Sequence, residues 1–274
     1  MADITKTIMR IGYSGRGITY LTVASISLWA IWQGGQAKGP GSALERLSDS
    51  TAGMAVLCLV AIGLFTYALW RVMDAFADLE EYGSDGEGVI ARVGMVVTGL
   101  THGALGALAL FIVLGRKSGN GQGGVTSVTA RVLDWPGGQW IVGFAALCTL
   151  GAGLYYLHKA INSSYRANLR ANHFTRNWDW ALRAGVAAQG VLVVIIGGFL
   201  FAAARRGSEQ SAGGIGEAFD WIASLPFGNV LIVLICVALL GFAFFCFVNA
   251  AYRIIPRTMD GQVETLKDKI DAAR

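Results

Sequence analysis

Charge is what this sequence has least of. Asp, Glu, Lys and Arg make up 15% of its 274 residues, where soluble domains carry about 25%. That shortfall excludes an ordinary water-soluble globule. With 54% hydrophobic residues, it excludes intrinsic disorder still more firmly. Proline is scarce, at 4 residues against 37 glycines. The 4 cysteines (Cys58, Cys148, Cys236 and Cys246) all fall in apolar stretches, with no Cys-x-x-Cys or Cys/His ligand spacing. They read as small buried hydrophobes, so neither a disulfide framework nor a metal set is expected. The Gly-x4-Gly-Lys-Ser/Thr, His-Glu-x2-His and Gly-x-Ser-x-Gly motifs are all missing. Gly12-x2-Gly15-x-Gly17 opens an apolar helix and follows no strand, which removes a dinucleotide-loop reading. No cofactor is expected, and an enzyme is the weakest functional reading.

Long apolar runs are present instead. Six windows contain no Asp, Glu, Lys or Arg: 17–37, 51–70, 93–115, 135–157, 184–204 and 221–252. Each reaches the roughly 20 residues needed to cross a hydrocarbon core about 30 Å thick. Pro136-Gly137-Gly138 and Pro226 with Gly228 mark breaks just before the fourth and sixth helices. The chain reads as an all-α integral membrane protein with six transmembrane helices. The first run is long and has no clear cleavage site, so it reads as a permanent span.

The basic residues set an orientation. Lys38, Arg46, Arg116, Lys117, Arg131, Arg205 and Arg206 fall in the first, third and fifth connections, and the other Lys and Arg share the side of the termini. The positive-inside rule then places both termini in the cytoplasm. The net charge of +4 is partly this topology signal, with no nucleic-acid recognition motif beside it. The acidic run from Asp74 to Glu87 reads as a solvated cytoplasmic turn, because its spacing does not fit a helical-hand calcium loop.

An internal triplication follows from the helix ends. The first, third and fifth helices start alike: Arg10-x-Gly12-x4-Gly17, Arg92-x-Gly94-x4-Gly99 and Arg183-x-Gly185-x4-Gly190. In the other three, Gly63, Gly151 and Gly241 are each followed four residues later by Tyr67, Tyr155 and Phe245, then by Arg71, Lys159 and Asn249. The outer connections 44–47, 128–135 and 215–225 also look alike, and 218–222 reads as an amphipathic helix or a simple lead-in. The stretches 117–124 and 207–216 read as flexible loops. The repeats run over 8–82, 90–170 and 181–255, with a charged cytoplasmic tail at 256–274.

On these motifs, from about Ile8 to Ile255, the chain resembles the bacterial membrane family called domain-of-unknown-function family 1206. The resemblance implies three tandem two-helix units in a bacterial inner membrane and supplies no activity or site residues. The third copy departs most, with Asn249 where the others have Arg71 and Lys159.

Three hairpins of one in–out sense pack most simply as parallel repeats about a pseudo-threefold axis along the membrane normal. Close helix approach is expected at Gly12, Gly17, Gly63, Gly94, Gly99, Gly103, Gly151, Gly185, Gly190 and Gly241. The repeats align Arg16, Thr98 and Gln189, and four residues further Tyr20, His102 and Val193. Polar groups at membrane depth usually face an interior or a cavity. His102 reads as a neutral imidazole bonded to a neighbouring helix, as a proton or substrate group, or as a metal or haem ligand; His158 and His173 lie too near the ends to pair with it. Arg16 either snorkels to the headgroups or joins Arg71 and Lys159 in an anion-binding vestibule. Gln189 is interhelical glue or a cavity donor. The Trp residues fall at helix ends as belt anchors.

Two functions compete. One is a small-solute or ion transporter or channel with a central polar path. It is similar to mitochondrial carriers only in having three two-helix units. The other is a non-transporting scaffold or accessory subunit, whose basic connection 159–183 binds anionic lipid, a membrane-protein partner or a second copy. Nucleic acid is not among the partners.

Overall fold

Each long helix begins where a local signal frees the chain from the preceding connection. In the computed structural model, the described residues are 2–37, 39–115, 124–208, 212–213, 215–258 and 264–272. Lys38, Arg116, Lys117 and Arg274, which enter the charge asymmetry, lie outside them, as do most of the loop stretch 117–124 and part of 207–216. The helices are α1 (Ala2–Trp32), α2 (Pro40–Leu47), α3 (Thr51–Ala77), α4 (Gly86–Val113), α5 (Gly124–Leu133), α6 (Gly138–Ile161), α7 (His173–Asn177), α8 (Asp179–Arg206), α9 (Ile215–Ala223), α10 (Gly228–Tyr252) and α11 (Leu266–Asp271). Ser50 and Asp85 cap α3 and α4 by accepting the amides of Gly53 and Gly88, each at 3.0 Å. At the far end of α3, Asp78 adopts the left-handed conformation, and its carboxylate accepts the amides of Tyr82 and Gly83. The acidic run therefore folds into a tight turn.

Among the described residues, five helices (α3, α4, α6, α8 and α10) are long and apolar enough to cross a membrane. The sixth long helix, α1, has 31 residues but falls outside that set. Its polar residues Tyr13, Arg16, Thr19, Tyr20 and Ser27 lower its hydropathy, and all five are buried. A helix packed between protein neighbours need not be lipid-like all round. The protein is thus an all-α, multi-helix membrane protein of repeated blocks, and its short helices α2, α5 and α9 occupy the first, third and fifth connections.

The helices follow one another side by side as α4, α3, α1, α10, α8 and α6. The most extensive packing is between consecutive repeats: α3 with α4, α6 with α8, and α10 with α1. Arg92 donates from Nε to the Ala75 carbonyl at 2.5 Å and from Nη2 to that of Phe76 at 3.3 Å. Arg183 does the same to Ala160 and Ile161, at 2.8 and 3.0 Å. The starting arginines of the second and third repeats are therefore clamps on the last carbonyls of the preceding repeat, where free acceptors and the negative end of the helix dipole meet a cation.

Within repeats, packing is uneven. Side chains are absent where α1 meets α3: a methyl group on Gly12 would fall 2.6 Å from the Tyr67 Cα, and Gly15 lies against Gly63. Gly185 lies against Gly241 and Phe242, joining α8 to α10. Gly17, Gly99 and Gly190 meet Phe247, Ala68 and Leu157, while Gly103 makes only ordinary contact with Ala68. Gly94 and Gly151 have nothing within 4 Å of a methyl group placed on them, so they do not serve helix packing here. Correspondingly, α4 and α6 do not pack side by side. The copy that departs most is thus the second, not the third. In the third, Asn249 Oδ1 accepts from Arg253 Nη1 at 2.6 Å, so the cation arrives one turn later.

The connections and tail close the end that carries the termini. Leu169 and Arg170 form isolated bridges with Arg253 and Thr265. Leu266 is fully buried, so this stretch of the expected charged tail folds back onto the bundle.

Candidate functional site

Charged side chains inside the bundle form two groups with opposite character. The first lies at the end bearing the termini. Arg71 pairs with Asp74 at 3.1 Å and sits 4.0 Å from Glu80, while Arg253 binds Glu80 at 2.5 Å and lies over the Tyr13 ring. The Asp74 and Glu80 side chains are fully buried, which corrects the reading of the acidic run as wholly solvated. Burial works to raise the Glu80 pKa, but the guanidiniums of Arg253 and Arg71 outweigh it and hold that carboxyl below its usual range. A paired cluster of this kind fixes geometry, because removing either partner strands a buried charge.

The second group centres on Arg16, which is 4% exposed and points inward instead of snorkelling. It donates from Nη1 to the Tyr67 hydroxyl at 2.8 Å and from Nη2 to that of Tyr156 at 3.4 Å. The guanidinium also lies over the rings of Tyr20, Tyr67 and Phe242, with its carbon 5.6, 5.0 and 4.9 Å from their centroids. Aromatic faces favour a cation, and a guanidinium stacks on them well. Yet among the described residues no carboxylate comes within ion-pair distance of Arg16, and its Nε has no hydrogen-bond partner. Side chains of α1, α3, α6 and α10 all meet at this one cation.

The expected residues divide accordingly. Tyr20 joins the Arg16 group directly. His102 stands edge-on to Tyr67, 4.8 Å between centroids, with Nδ1 2.8 Å from the Thr98 carbonyl of its own helix. The hydrogen bond to a neighbouring helix expected of His102 is therefore not the one formed. Thr98 is half-buried, and its hydroxyl donates to the Gly94 carbonyl at 2.7 Å, the usual way a helical threonine satisfies itself in an apolar medium. Gln189 is buried on α8 with Oε1 unpartnered. Arg71 belongs to the paired cluster. Lys159 lies over the Tyr155 ring at 5.8 Å, with no carboxylate within 4.0 Å among the described residues. Sequence reasoning missed Tyr156, Phe242, Glu80 and Arg253 as members of either group. The Tyr155-Tyr156 doublet was the available signal for the first of them.

Long apolar helices in repeated blocks, with titratable groups gathered inside, define a polytopic helical membrane protein. The chain belongs to the family described as Domain of Unknown Function (DUF1206), whose model matches residues 11–78, 93–163 and 184–253. It is similar to the Uncharacterized protein YxxB of Bacillus subtilis (strain 168), 24% identical over 257 residues that cover 90% of this chain and 91% of the relative. No solved structure matches the chain.

Proposed function

We propose that the protein is a small-solute or ion transporter whose central polar path takes an anion at Arg16. In this reading α1 is the sixth span, and three parallel hairpins surround a pseudo-threefold axis. Both termini then lie in the cytoplasm of a bacterial inner membrane. One observation carries the proposal: a buried guanidinium with an unpartnered Nε and, among the described residues, no carboxylate beside it. A buried charge is costly unless something neutralises it, and a bound anion would do so. Tyr67, Tyr156 and Tyr20 would orient the cation, with His102 as the neighbouring polar wall.

The test is anion uptake into vesicles reconstituted with the purified protein. Saturable uptake should fall at least tenfold in Arg16→Gln and survive in part in Arg16→Lys. Unchanged uptake in a natively helical Arg16→Gln protein overturns the reading.

A second reading, a scaffold or accessory subunit, is favoured by a different observation. Gly94 and Gly151 are uncovered, and α6 exposes Trp140, Phe144 and Leu147. A stable membrane-protein partner that co-purifies in stoichiometric amount, without any anion uptake, would support it instead.

A further inference from the structure

We infer that a phospholipid with a zwitterionic, primary-ammonium headgroup of the phosphoethanolamine type binds where α6, α8 and the folded tail meet. This site lies at the end bearing the termini, and none of its residues belongs to the Arg16 group.

A cavity and an adjoining groove carry the assignment. The cavity, about 510 Å³, is lined mainly by polar residues, among them Ser163, Ser164, Arg166, Lys267 and Asp271. The groove, about 500 Å³, runs along the start of α8 past the end of α6, and Ala160, Ile161, Trp180, Ala184 and Ala187 make most of its wall. Ile161 and Arg183 line both. Such volumes are of the size that takes a small ligand or a lipid head. Arg183 also marks a boundary in the sequence, because the uncharged run 184–204 begins directly after it. Trp180 is 67% exposed beside it, and a Trp at the start of an apolar run suits headgroup depth. The polar cavity thus meets the headgroup layer, and the apolar groove leads from it towards hydrocarbon.

The tail completes the cavity. Leu266 is buried and its amide donates to the Leu169 carbonyl at 2.7 Å, while Thr265 and Asp268 cap α11 reciprocally. Lys267 and Asp271, one turn apart, share a face of α11, and both line the cavity. Its charges are not all matched from within. Arg166 is taken by Asp179, with Nε donating to Oδ1 at 2.9 Å. Among the described residues, neither Arg183 nor Lys267 has a carboxylate within 4.0 Å, and Asp271 has no cation within that distance. Two cations and one carboxylate therefore remain for a ligand. A phosphodiester suits the cations, with the Ser163 and Ser164 hydroxyls as further donors, and a primary ammonium suits Asp271. A trimethylammonium has no N–H to offer Asp271, and an uncharged glycerol head leaves that carboxylate unpaired. Basic pockets at the membrane surface are established headgroup sites; the free acid selects among headgroups here.

The test measures binding of phosphatidylethanolamine, phosphatidylcholine and phosphatidylglycerol, with identical acyl chains, to the detergent-purified full chain by native mass spectrometry. Phosphatidylethanolamine should bind about fivefold more tightly than either of the others, the scale of one exposed ion pair. Lys267→Gln should weaken it by about the same factor. Asp271→Asn should remove its advantage over phosphatidylglycerol. Both residues are exposed on a helix docked through Leu266, so these variants keep the fold. Ala184→Trp, which fills the groove, should weaken phosphatidylethanolamine and leave soluble glycerophosphoethanolamine unaffected. Phosphatidylcholine or phosphatidylglycerol binding as tightly as phosphatidylethanolamine overturns the ammonium contact. Unchanged phosphatidylethanolamine binding in Lys267→Gln and Asp271→Asn overturns the site. If the soluble headgroup binds as tightly as the lipid, or Ala184→Trp binds lipid normally, the groove holds no acyl chain and the lipid assignment falls.

Discussion

The first hairpin, α1 with α3, and the second, α4 with α6, start from the same pattern and end differently. Both carry the Arg-x-Gly start and the Gly-x3-aromatic end. In the first, Gly12 and Gly15 admit the backbone of Tyr67 and Gly63; in the second, Gly94 and Gly151 meet nothing. The difference lies in the residues around the glycines. Val97 stands where the first copy has Gly15, and Tyr156 where it has Ala68. The second copy thus has a β-branched residue at the position where the first packs Gly15 against Gly63. Tyr156 then turns inward to Arg16. A motif glycine makes close approach possible, and its neighbours decide whether approach happens.

The sharpest way to break the comparison is through the ionic cluster. That cluster ties the first repeat to the third through Glu80 and Arg253, while among the described residues the second repeat's Lys159 forms no ion pair. Glu80→Gln strands Arg253 and should cost about 3–5 kcal/mol, read as loss of thermal stability in detergent. Its pH signature has a definite sign. The folded-state pKa of Glu80 is depressed, so its contribution is complete above the unfolded value of about 4.3 and is lost as pH falls through the lower folded value. Stability should therefore drop on acidification below about pH 4 in the wild type and drop less in Glu80→Gln. Equal acid sensitivity of the two proteins would count against the pairing.

Next in size is one substitution made at equivalent sites. Gly12→Ala places a methyl group 2.6 Å from the Tyr67 Cα, and such overpacking should cost about 1–3 kcal/mol. Gly94→Ala meets open space and should stabilise its helix by about 0.5–1 kcal/mol. Opposite signs in thermal unfolding would show that the two hairpins differ in the membrane as they do here. A matching loss at both sites would mean that α4 and α6 close on each other.

Much of the architecture was legible in the sequence because bilayer thickness and repeat spacing act through composition alone. Apolar runs of span length and three Arg-x-Gly starts follow from local patterns, whereas of the short helices before Gly53, Gly138 and Gly228 only the last was read, at 218–222, as a helix or a simple lead-in. The Arg16 group was half legible. Repeat alignment singled out Arg16 and Tyr20, but placed Thr98 and Gln189 beside them by a symmetry that the second hairpin breaks. The ionic cluster was not legible, since Glu80 and Arg253 are 173 residues apart and only the packing of the bundle brings the ends of α3 and α10 together. Glu80 looked like one more acid in a polar turn.

The smallest expected effect concerns the clamps, and it explains how the second hairpin stays open. Its α4 is held to the first repeat by Arg92, and its α6 to the third by Arg183. Each helix is thus fastened outward to a neighbouring repeat instead of to its own partner. Arg92→Gln removes charged hydrogen bonds to two end carbonyls and should cost about 1–2 kcal/mol. Arg10, at the corresponding position of the first repeat, is exposed, and Arg10→Gln should change stability by less than about 0.5 kcal/mol. If the clamps hold α4 and α6 apart, spin labels at Ile90 and Leu147 should also show a broader distance distribution in Arg92→Gln than in Arg10→Gln. An equally narrow distribution in both would show that the clamps do not set the separation.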